Sequence, residues 1–330
     1  MARQYDQADT LRRLMKARDE LTPARKAREF TGSGPRIITV ASGKGGVGKS
    51  SLVVNLGALL ARSGLKVLLV DGDTGLSNLD ILLGLPQEHR ATLEQVIDGD
   101  ARLQDAIVGV EPNLWLIPSS SGLMDLRQSG PETRSRLLEV FDECPWEMDI
   151  ILMDIGAGIQ DNVLSMHSPL FESIVVLTPE PTSLTDGYSL IKLLCNQVGV
   201  RRASIIVNQV TDGRQGLQTF QKLKDVAARF MDVELEYLGH WQRDEKIRIS
   251  VMKRKILLDL DERAPSIPCL ELLAKRLCAK GLQDRVQGSG VEVHSRVLLK
   301  TSSQFQDETA LAVPGNTMKF WRNLLGEVKT

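Results

Sequence analysis

A glycine-rich segment carrying two lysines is the part of this sequence whose residue types and spacing point most clearly to chemistry. It consists of Gly43, Lys44, Gly45, Gly46, Val47, Gly48, Lys49, Ser50 and Ser51. Glycines lack Cβ, so successive backbone N–H groups can turn inward and bind a polyphosphate at the start of the following helix. At this spacing Lys49 reaches the β- and γ-phosphates and the Ser50 hydroxyl binds Mg²⁺. The segment therefore predicts a phosphate-binding loop of a nucleotide hydrolase.

The flanking residues supply the elements that such a loop needs. Residues 36–40 form a short β-branched run before the loop, and residues 51–61 after it are apolar enough for a buried helix. Strand, loop and helix in this order are what a phosphate-binding loop requires. The order favours that interpretation over a glycine-rich turn that binds nothing.

Two acidic residues, Asp71 and Asp73, follow the next apolar run, residues 66–70. Carboxylates at the C-terminal end of a buried parallel strand lie where open α/β sheets bind ligands. Side chains two apart on an extended segment point the same way, so Asp71 can face magnesium while Asp73 faces the water that attacks the γ-phosphate. A polar turn is the alternative. The position after the second strand of such a chain favours the catalytic interpretation.

A third carboxylate, Asp154, follows the apolar run 150–153 and precedes two nearby glycines. This position is typical of a residue that holds Mg²⁺ directly or through water, and the glycines would let the loop move with the γ-phosphate. Together with Ser50 and Asp71, Asp154 completes the predicted metal-binding set.

Asn208 ends a further buried-strand pattern, residues 204–208. Its side-chain amide carries both a donor and an acceptor and could read the edge of an adenine base. A simple turn asparagine is the alternative, and spacing alone does not separate the two.

Length and composition bound the fold. The chain has 330 residues, of which 42% are hydrophobic, and its strands and helices alternate from residue 36 to about 280. This pattern predicts an α/β fold, a doubly wound and mostly parallel sheet with helices on both faces. The net charge of −1 gives no basic field for nucleic acid, and four cysteines without a C-x-x-C pair disfavour a metal cluster. The predicted segments are an N-terminal partner-binding extension, 1–35, an ATPase domain, 36–282, a linker, 283–316, and a C-terminal helix, 317–330.

The last segment is expected to be an amphipathic helix that lies on an anionic membrane surface. Wound as a helix, its apolar side chains fall within one arc, with Lys319, Arg322 and Lys329 outside it. The apolar residues are Met318, Phe320, Trp321, Leu324, Leu325 and Val328. An aromatic and leucine face beside basic residues is the pattern of an in-plane membrane helix. Docking on the protein's own core is the alternative.

The N-terminal extension contains a short motif that could bind a partner protein. Its residues are Asp6, Gln7, Ala8, Leu11 and Arg12. Ala8, Leu11 and Met15 would form one thin apolar stripe on a helix, too little to fold alone but suited to docking. A solvated extension is the alternative that spacing alone would favour.

With Lys44 near its start, the loop resembles the deviant Walker A loop of the MinD/ParA ATPases, and Asp71 to Asp80 resembles the switch I of that group, D-x-D-x-x-x-x-N-L-D. The resemblance implies that Lys44, otherwise a solvated lysine, crosses a dimer interface to the partner's ATP. It makes Asp73 the catalytic carboxylate, assisted by Lys44 and Lys49, and supports Asn208 as the adenine contact. It also implies slow regulatory turnover and an ATP-dependent homodimer.

The motif D-Q-A-x-x-L-R resembles the N-terminus of the flagellar FlhG branch (also FleN or YlxH) of the same group. That branch implies control of flagellar number and placement through the SRP-type GTPase FlhF and flagellar basal-body or regulatory proteins. The expected location is cytoplasmic and peripheral on the inner face of the cell membrane, with no specific nucleic acid bound. The alternatives are a MinD-type division-site regulator, a ParA-type carrier of DNA or cargo, and an adaptor that does not hydrolyse ATP.

Overall fold

The computed structural model describes residues 35–73, 78–86, 91–119, 136, 139–141, 148–159, 163–164 and 166–288. The strands in these ranges are β1 (Arg36–Ser42), β2 (Val67–Gly72), β3 (Val108–Glu111), β4 (Leu114–Ile117), β5 (Ile150–Ala157), β6 (Glu172–Leu177), β7 (Arg202–Val210) and β8 (Glu234–Gln242). The helices are α1 (Lys49–Arg62), α2 (Leu79–Leu82), α3 (Leu93–Asp98), α4 (Leu103–Ala106), α5 (Pro181–Leu193), α6 (Gly213–Phe230), α7 (Glu245–Lys253), α8 (Leu257–Leu260) and α9 (Ile267–Gly288). A π-helical turn, Leu194–Val198, follows α5.

Within the described ranges the strands form one sheet in the order β3-β4-β2-β5-β1-β6-β7-β8. Neighbouring strands pair in parallel except at the edge, where β3 runs antiparallel to β4. The mostly parallel sheet predicted from the sequence is thus confirmed. Its central strand is β1, with β5 and then β2 on one side and β6 on the other. The C-terminal ends of β1, β2 and β5 therefore lie together along the C-terminal end of the sheet, which is where such sheets bind ligands.

Helices cover both faces of the sheet. Successive side chains of a strand point to opposite faces, so each face has its own hydrophobic core. In β2, Val67 and Leu69 pack into one hydrophobic cluster while Leu68 and Val70 pack into the other. The first cluster includes side chains of α1 and α9, and the second includes side chains of α3, α5 and α6. Strands buried on both faces read as continuous apolar runs, which explains why the sequence pattern predicted them.

The last helix is fixed to the sheet by polar contacts. Arg36 donates to both carboxylate oxygens of Glu172, at 2.7 and 2.8 Å, and to the carbonyl oxygen of Leu277 at 2.9 Å. These bonds join β1, β6 and α9. The helix runs on to Gly288, past the boundary that we expected at residue 282. The N-terminal motif and the helix predicted for 317–330 lie outside the described residues. Among the residues that are described, no helix combines the length and apolarity needed to cross a membrane.

The cysteines that the structure describes are free thiols. Cys195 is buried, while Cys269 and Cys278 are partly buried. Burial raises the pKa of the Cys269 and Cys278 thiols, because a thiolate is poorly solvated there. In the described part of the chain no group of three or more His, Cys, Asp or Glu side chains is placed to hold a metal ion.

Candidate functional site

The glycine-rich loop connects β1 to α1 and is shaped by three of its glycines. Gly46 and Gly48 have φ values of 79° and 82°, in the left-handed region that favours glycine. Gly43 packs against the middle of α5, where an added Cβ would lie 2.6 Å from the Gly187 nitrogen. Only glycine fits at that position without moving the backbone of α5.

The N-terminal end of α1 has the charge pattern of an anion site. The helix begins at Lys49 directly after left-handed Gly48, and its first turn contains no acidic residue. The first amides of a helix carry partial positive charge and lack partners within the helix. With Lys49 and Ser50 in this first turn, the loop suits a phosphate group, as the sequence predicted.

A buried ion pair joins the loop to β5. The ammonium group of Lys49 donates to Oδ1 of Asp154, and the two side chains are only 6% and 2% exposed. A positive charge thus already lies against the Asp154 carboxylate. The Asp154 carboxylate already binds a buried cation, which fits its predicted role as an oxygen ligand of Mg²⁺. The hydroxyl of Ser50 is also an oxygen ligand of the kind that Mg²⁺ prefers.

Asp71 lies beside Asp154, since the two residues are partners in the parallel register of β2 and β5. Both are 1% exposed. The Asp71 carboxylate, however, accepts hydrogen bonds from backbone N–H groups: Asp73 at 3.1 Å, Asn78 at 3.0 Å and Leu79 at 3.1 Å. The structure therefore brings the two predicted metal-binding aspartates together but gives their carboxylates different partners.

Asp73, the predicted catalytic residue, lies at the end of β2 beside the segment that follows Asp154. A Cβ added to Gly156 would be 3.2 Å from Oδ1 of Asp73, so this carboxylate packs closely on the glycine. The Gly158 amide, two residues on, donates to the Ser42 carbonyl at 2.9 Å. The residue after β2 and the end of β5 thus meet next to the loop, as a γ-phosphate site requires.

Lys44 points away from the phosphate-binding end of its own loop. Its ammonium group pairs with the Glu180 carboxylate and donates to Oγ1 of Thr182 at 3.0 Å, both at the start of α5. The Lys44 and Glu180 side chains are 29% and 60% exposed. Lys44 is therefore accessible at the surface next to the loop. Its reach into a partner's nucleotide stays a prediction.

Asn208 braces the loop from the end of β7. Its amide nitrogen donates to the Val47 carbonyl at 2.7 Å, and its oxygen accepts from the Gln209 amide at 2.7 Å. The Gln209 side chain adds a bond to the Gly46 carbonyl at 3.1 Å. Sequence reasoning missed Gln209, whose only signal was its place after a strand-ending asparagine. The adenine contact proposed for Asn208 stays a prediction.

Comparison with known proteins covers the part of the chain that holds this site. A model of the ParA family, described as NUBPL iron-transfer P-loop NTPase, matches residues 35–278. The antiactivator FleN of Pseudomonas aeruginosa is 35% identical over 242 residues, which span 73% of this chain and 86% of FleN. The flagellum site-determining protein YlxH of Helicobacter pylori is 35% identical over 224 residues, spanning 67% of this chain and 74% of YlxH.

A solved structure with a similar fold is the septum site-determining protein MinD of Pyrococcus horikoshii, complexed with Mg-ADP. It has 29% sequence identity and a TM-score of 0.61, and the match covers 75% of this chain and 97% of that one. The residues matched by the family model include the glycine-rich loop, the three strand-end aspartates and Asn208.

Proposed function

The chain belongs to the MinD/ParA family of P-loop ATPases. We propose that it acts as an ATP-operated switch that controls flagellar number and placement. Its similarity to FleN and YlxH, both at 35% identity, supports this branch, as does the N-terminal motif beginning at Asp6. The observation that supports a switch is the buried ion pair between Lys49 and Asp154, together with the packing of the Asp73 carboxylate on Gly156.

Nucleotide binding exchanges the partners of Lys49. In the structure its ammonium group neutralises Asp154. The phosphates of ATP offer Lys49 more negative charge at the start of α1, which releases Asp154. When bound, Mg²⁺ neutralises phosphate charge in the transition state, and Ser50 and Asp154, with Asp71 as the third predicted ligand, are the residues that would hold it.

Hydrolysis then depends on Asp73. Its carboxylate accepts a hydrogen bond from the attacking water and orients that water toward the γ-phosphate. Because the carboxylate lies against Gly156, movement of the C-terminal end of β5 changes its position. We expect turnover to be slow, as suits a regulatory switch, and to return the protein to its nucleotide-free state.

ATP also controls assembly with a second copy of the chain. In this proposal Lys44 exchanges Glu180 and Thr182 for the phosphates bound to the partner, so that two ATP molecules join two chains. The exchanged contact is solvent-exposed, and exposed ion pairs of this kind contribute little free energy, so breaking it costs little. ATP drives assembly only by the free energy with which it favours the dimer.

Sedimentation in saturating Mg-ATP tests the assembly step. We expect Asp73→Ala, in which turnover is blocked, to sediment as a dimer with ATP and as a monomer without it. Adding Lys44→Ala should return it to a monomer while nucleotide binding persists. Lys66→Ala, an exposed lysine before β2, is the matched control and should leave the dimer intact. A monomer in every condition would contradict the dimer, and dimers of the Lys44→Ala protein would exclude the cross-chain role.

Membrane association is proposed for residues 317–330, with the dimer presenting two such helices so that avidity strengthens weak single contacts. Flotation with vesicles containing anionic phospholipid tests it. Deleting 317–330 should abolish ATP-dependent flotation and spare nucleotide binding. Full flotation of the truncated protein would place the membrane contact elsewhere.

The partners are proposed from the branch rather than from geometry: an SRP-type GTPase, FlhF, together with flagellar basal-body or regulatory proteins. Purified FlhF should be retained by the full-length chain and lost when residues 1–20 are removed. Equal retention would reject the N-terminal docking motif. Salt-sensitive binding to nonspecific DNA would instead favour a ParA-type carrier.

The iron transfer named for the matching family model is not part of this proposal. The four cysteines of the sequence contain no C-x-x-C pair, which is the spacing expected for a cluster or zinc ligand set.

A further inference from the structure

The end of β7 contains a bulge that places two consecutive side chains against the phosphate-binding loop. Asn208 pairs with Trp241 and Val210 pairs with Gln242, so Gln209 is an extra residue in the register of β7 and β8. Successive side chains of a regular strand point to opposite faces, and a bulge re-aims them. As a result, both Asn208 and Gln209 reach the loop.

The backbone of Gln209 is strained at this bulge. Its φ is 58°, in the left-handed region that is costly for any residue with a Cβ. The Asn208 side chain accepts from the Gln209 amide at 2.7 Å, which helps to hold this conformation. Glycine would adopt the same backbone more easily, and the Gln209 side chain is exposed rather than part of the core. A strained residue beside a ligand-binding loop points to a functional role for its side chain.

We propose that Gln209 is a positioning residue for phosphate binding: its side chain fixes the Gly46 carbonyl and thereby the direction of the Val47 amide. Nε2 of Gln209 donates to the Gly46 carbonyl at 3.1 Å. A peptide bond is planar and trans, so the N–H group of Val47 points opposite to that carbonyl. Asn208 acts in the same way on the next peptide bond, because its bond to the Val47 carbonyl at 2.7 Å turns the Gly48 amide away from β7. Two neighbouring side chains thus orient two consecutive amides.

The loop needs such bonds because packing does not hold its outer part. Gly45 and Gly46 are exposed, and a Cβ added to either would meet no atom of the described residues within 4 Å. Glycine also has more backbone freedom than any other residue. Consecutive amides bind an anion when they point to the same side, and fixing them beforehand lowers the ordering cost of binding. The inference rests on the proposed role of this loop in binding the phosphates of ATP.

Two substitutions at this position remove the donor and differ in backbone strain. Gln209→Met keeps the length of the side chain but has no N–H group to donate. Gln209→Gly removes the side chain and relieves the left-handed strain. Gln242→Met is the matched control, because Nε2 of Gln242 donates at the same distance, 3.1 Å, to a carbonyl outside the loop, that of Thr211.

Titration calorimetry of the full-length proteins with Mg-ADP gives the first readout. We expect both Gln209 variants to bind ADP about threefold to tenfold more weakly, which is the usual contribution of one hydrogen bond between neutral groups. Inorganic triphosphate has no base, and the concentration that displaces ADP should rise by the same factor. In steady-state assays KM for ATP should rise similarly while kcat stays within about twofold, because the lost interaction is made equally before and during the reaction. Gln242→Met should match the parent protein throughout.

Urea unfolding without nucleotide gives the second readout, which a merely structural residue would answer differently. Gln209→Gly should unfold at about the same urea concentration as the parent, because relief of the strain offsets the greater freedom of glycine in the unfolded chain. Weaker phosphate binding at unchanged stability is the result expected of a positioning residue.

Unchanged affinity for ADP in both Gln209 variants would overturn the inference. So would a loss for ADP that inorganic triphosphate does not share, because Gln209 would then act on the base rather than on the loop. A loss of stability in both variants would make the bond structural. If the parent protein itself does not bind ADP, the proposed function of the loop fails as well, whereas a parent that binds ADP no better than its variants rejects only the role of Gln209.

Discussion

The ends of β2 and β5 carry equally buried aspartates side by side, yet their carboxylates have different kinds of partner. At the end of β5 the Asp154 carboxylate is neutralised by a side chain, Lys49, that can rotate to another anion. At the end of β2 the Asp71 carboxylate is held by backbone amides that cannot. The comparison teaches that neighbouring carboxylates at one end of a sheet can be held in different ways. One is held by a flexible side chain and the other by the backbone.

The largest effect should come from removing the cation at the end of β5. Lys49→Met leaves a buried carboxylate without its partner, which costs about 3–5 kcal/mol of unfolding free energy. Adding Asp154→Asn should recover most of that loss, because the uncompensated charge is then gone. Urea unfolding of the nucleotide-free proteins measures both values. If the double variant is as unstable as Lys49→Met alone, the pair is not the source of the effect.

A smaller loss is expected at the end of β2. Asp71→Ala leaves the amides of Asp73, Asn78 and Leu79 with fewer acceptors and should cost about 1–3 kcal/mol of unfolding free energy. Urea unfolding of this variant beside Lys49→Met measures the difference. A loss as large as that of Lys49→Met would erase the distinction between the two strand ends.

The contact between the two strand ends can be perturbed through Gly156. Gly156→Ala places a methyl group 3.2 Å from Oδ1 of Asp73, so the carboxylate must shift by a few tenths of an ångström. We expect kcat to fall about threefold to tenfold with KM for ATP unchanged, because only the carboxylate proposed to be catalytic is displaced. Gly109→Ala, where a Cβ meets nothing within 4 Å, is the control for steady-state assays. Equal kcat in both variants would show that Asp73 is not sensitive to this contact.

The smallest effect is expected for the exposed lysine of the loop. Glu180→Ala removes the partner of Lys44, but that pair is well hydrated, so the free energy of unfolding should change by less than about 1 kcal/mol. Urea unfolding beside Lys49→Met gives a direct comparison between an exposed and a buried lysine of the same loop. A loss as large as that of Lys49→Met would mean that Lys44 is a structural residue.

The parts of the site that could be predicted are those that local sequence determines. They are the glycine spacing from Gly43 to Gly48, the apolar runs and the carboxylates that end these runs, and the structure places them at the C-terminal end of the sheet. The order of the strands in the sheet does not follow from local sequence. Lys49 and Asp154 are 105 residues apart, and only the insertion of β5 between β1 and β2 makes them partners.

Other details depend on side-chain choices that periodicity does not encode. A carboxylate at the end of a strand can face a metal ion or the backbone, and Asp71 is turned toward amides that belong to residues 78 and 79. Gln209 reaches the Gly46 carbonyl from a left-handed conformation, with φ of 58°, that few residues other than glycine adopt. The helix α9 continues to Gly288, through Gly281 and into the polar stretch from Gln283 that was expected to be a linker. Glycine lowers helix propensity without forbidding a helix.

The central place of β1 has a consequence for how the protein is made. Arg36, in the strand that leads into the loop, pairs with Glu172, which the ribosome adds 136 residues later. At roughly 5–20 residues per second, the nascent chain exposes an apolar strand and an unfinished loop for many seconds before the strand's neighbours emerge. Competence to bind ATP is thus acquired late in synthesis, so nucleotide cannot protect this segment from aggregation until the neighbouring strands β5 and β6 have emerged.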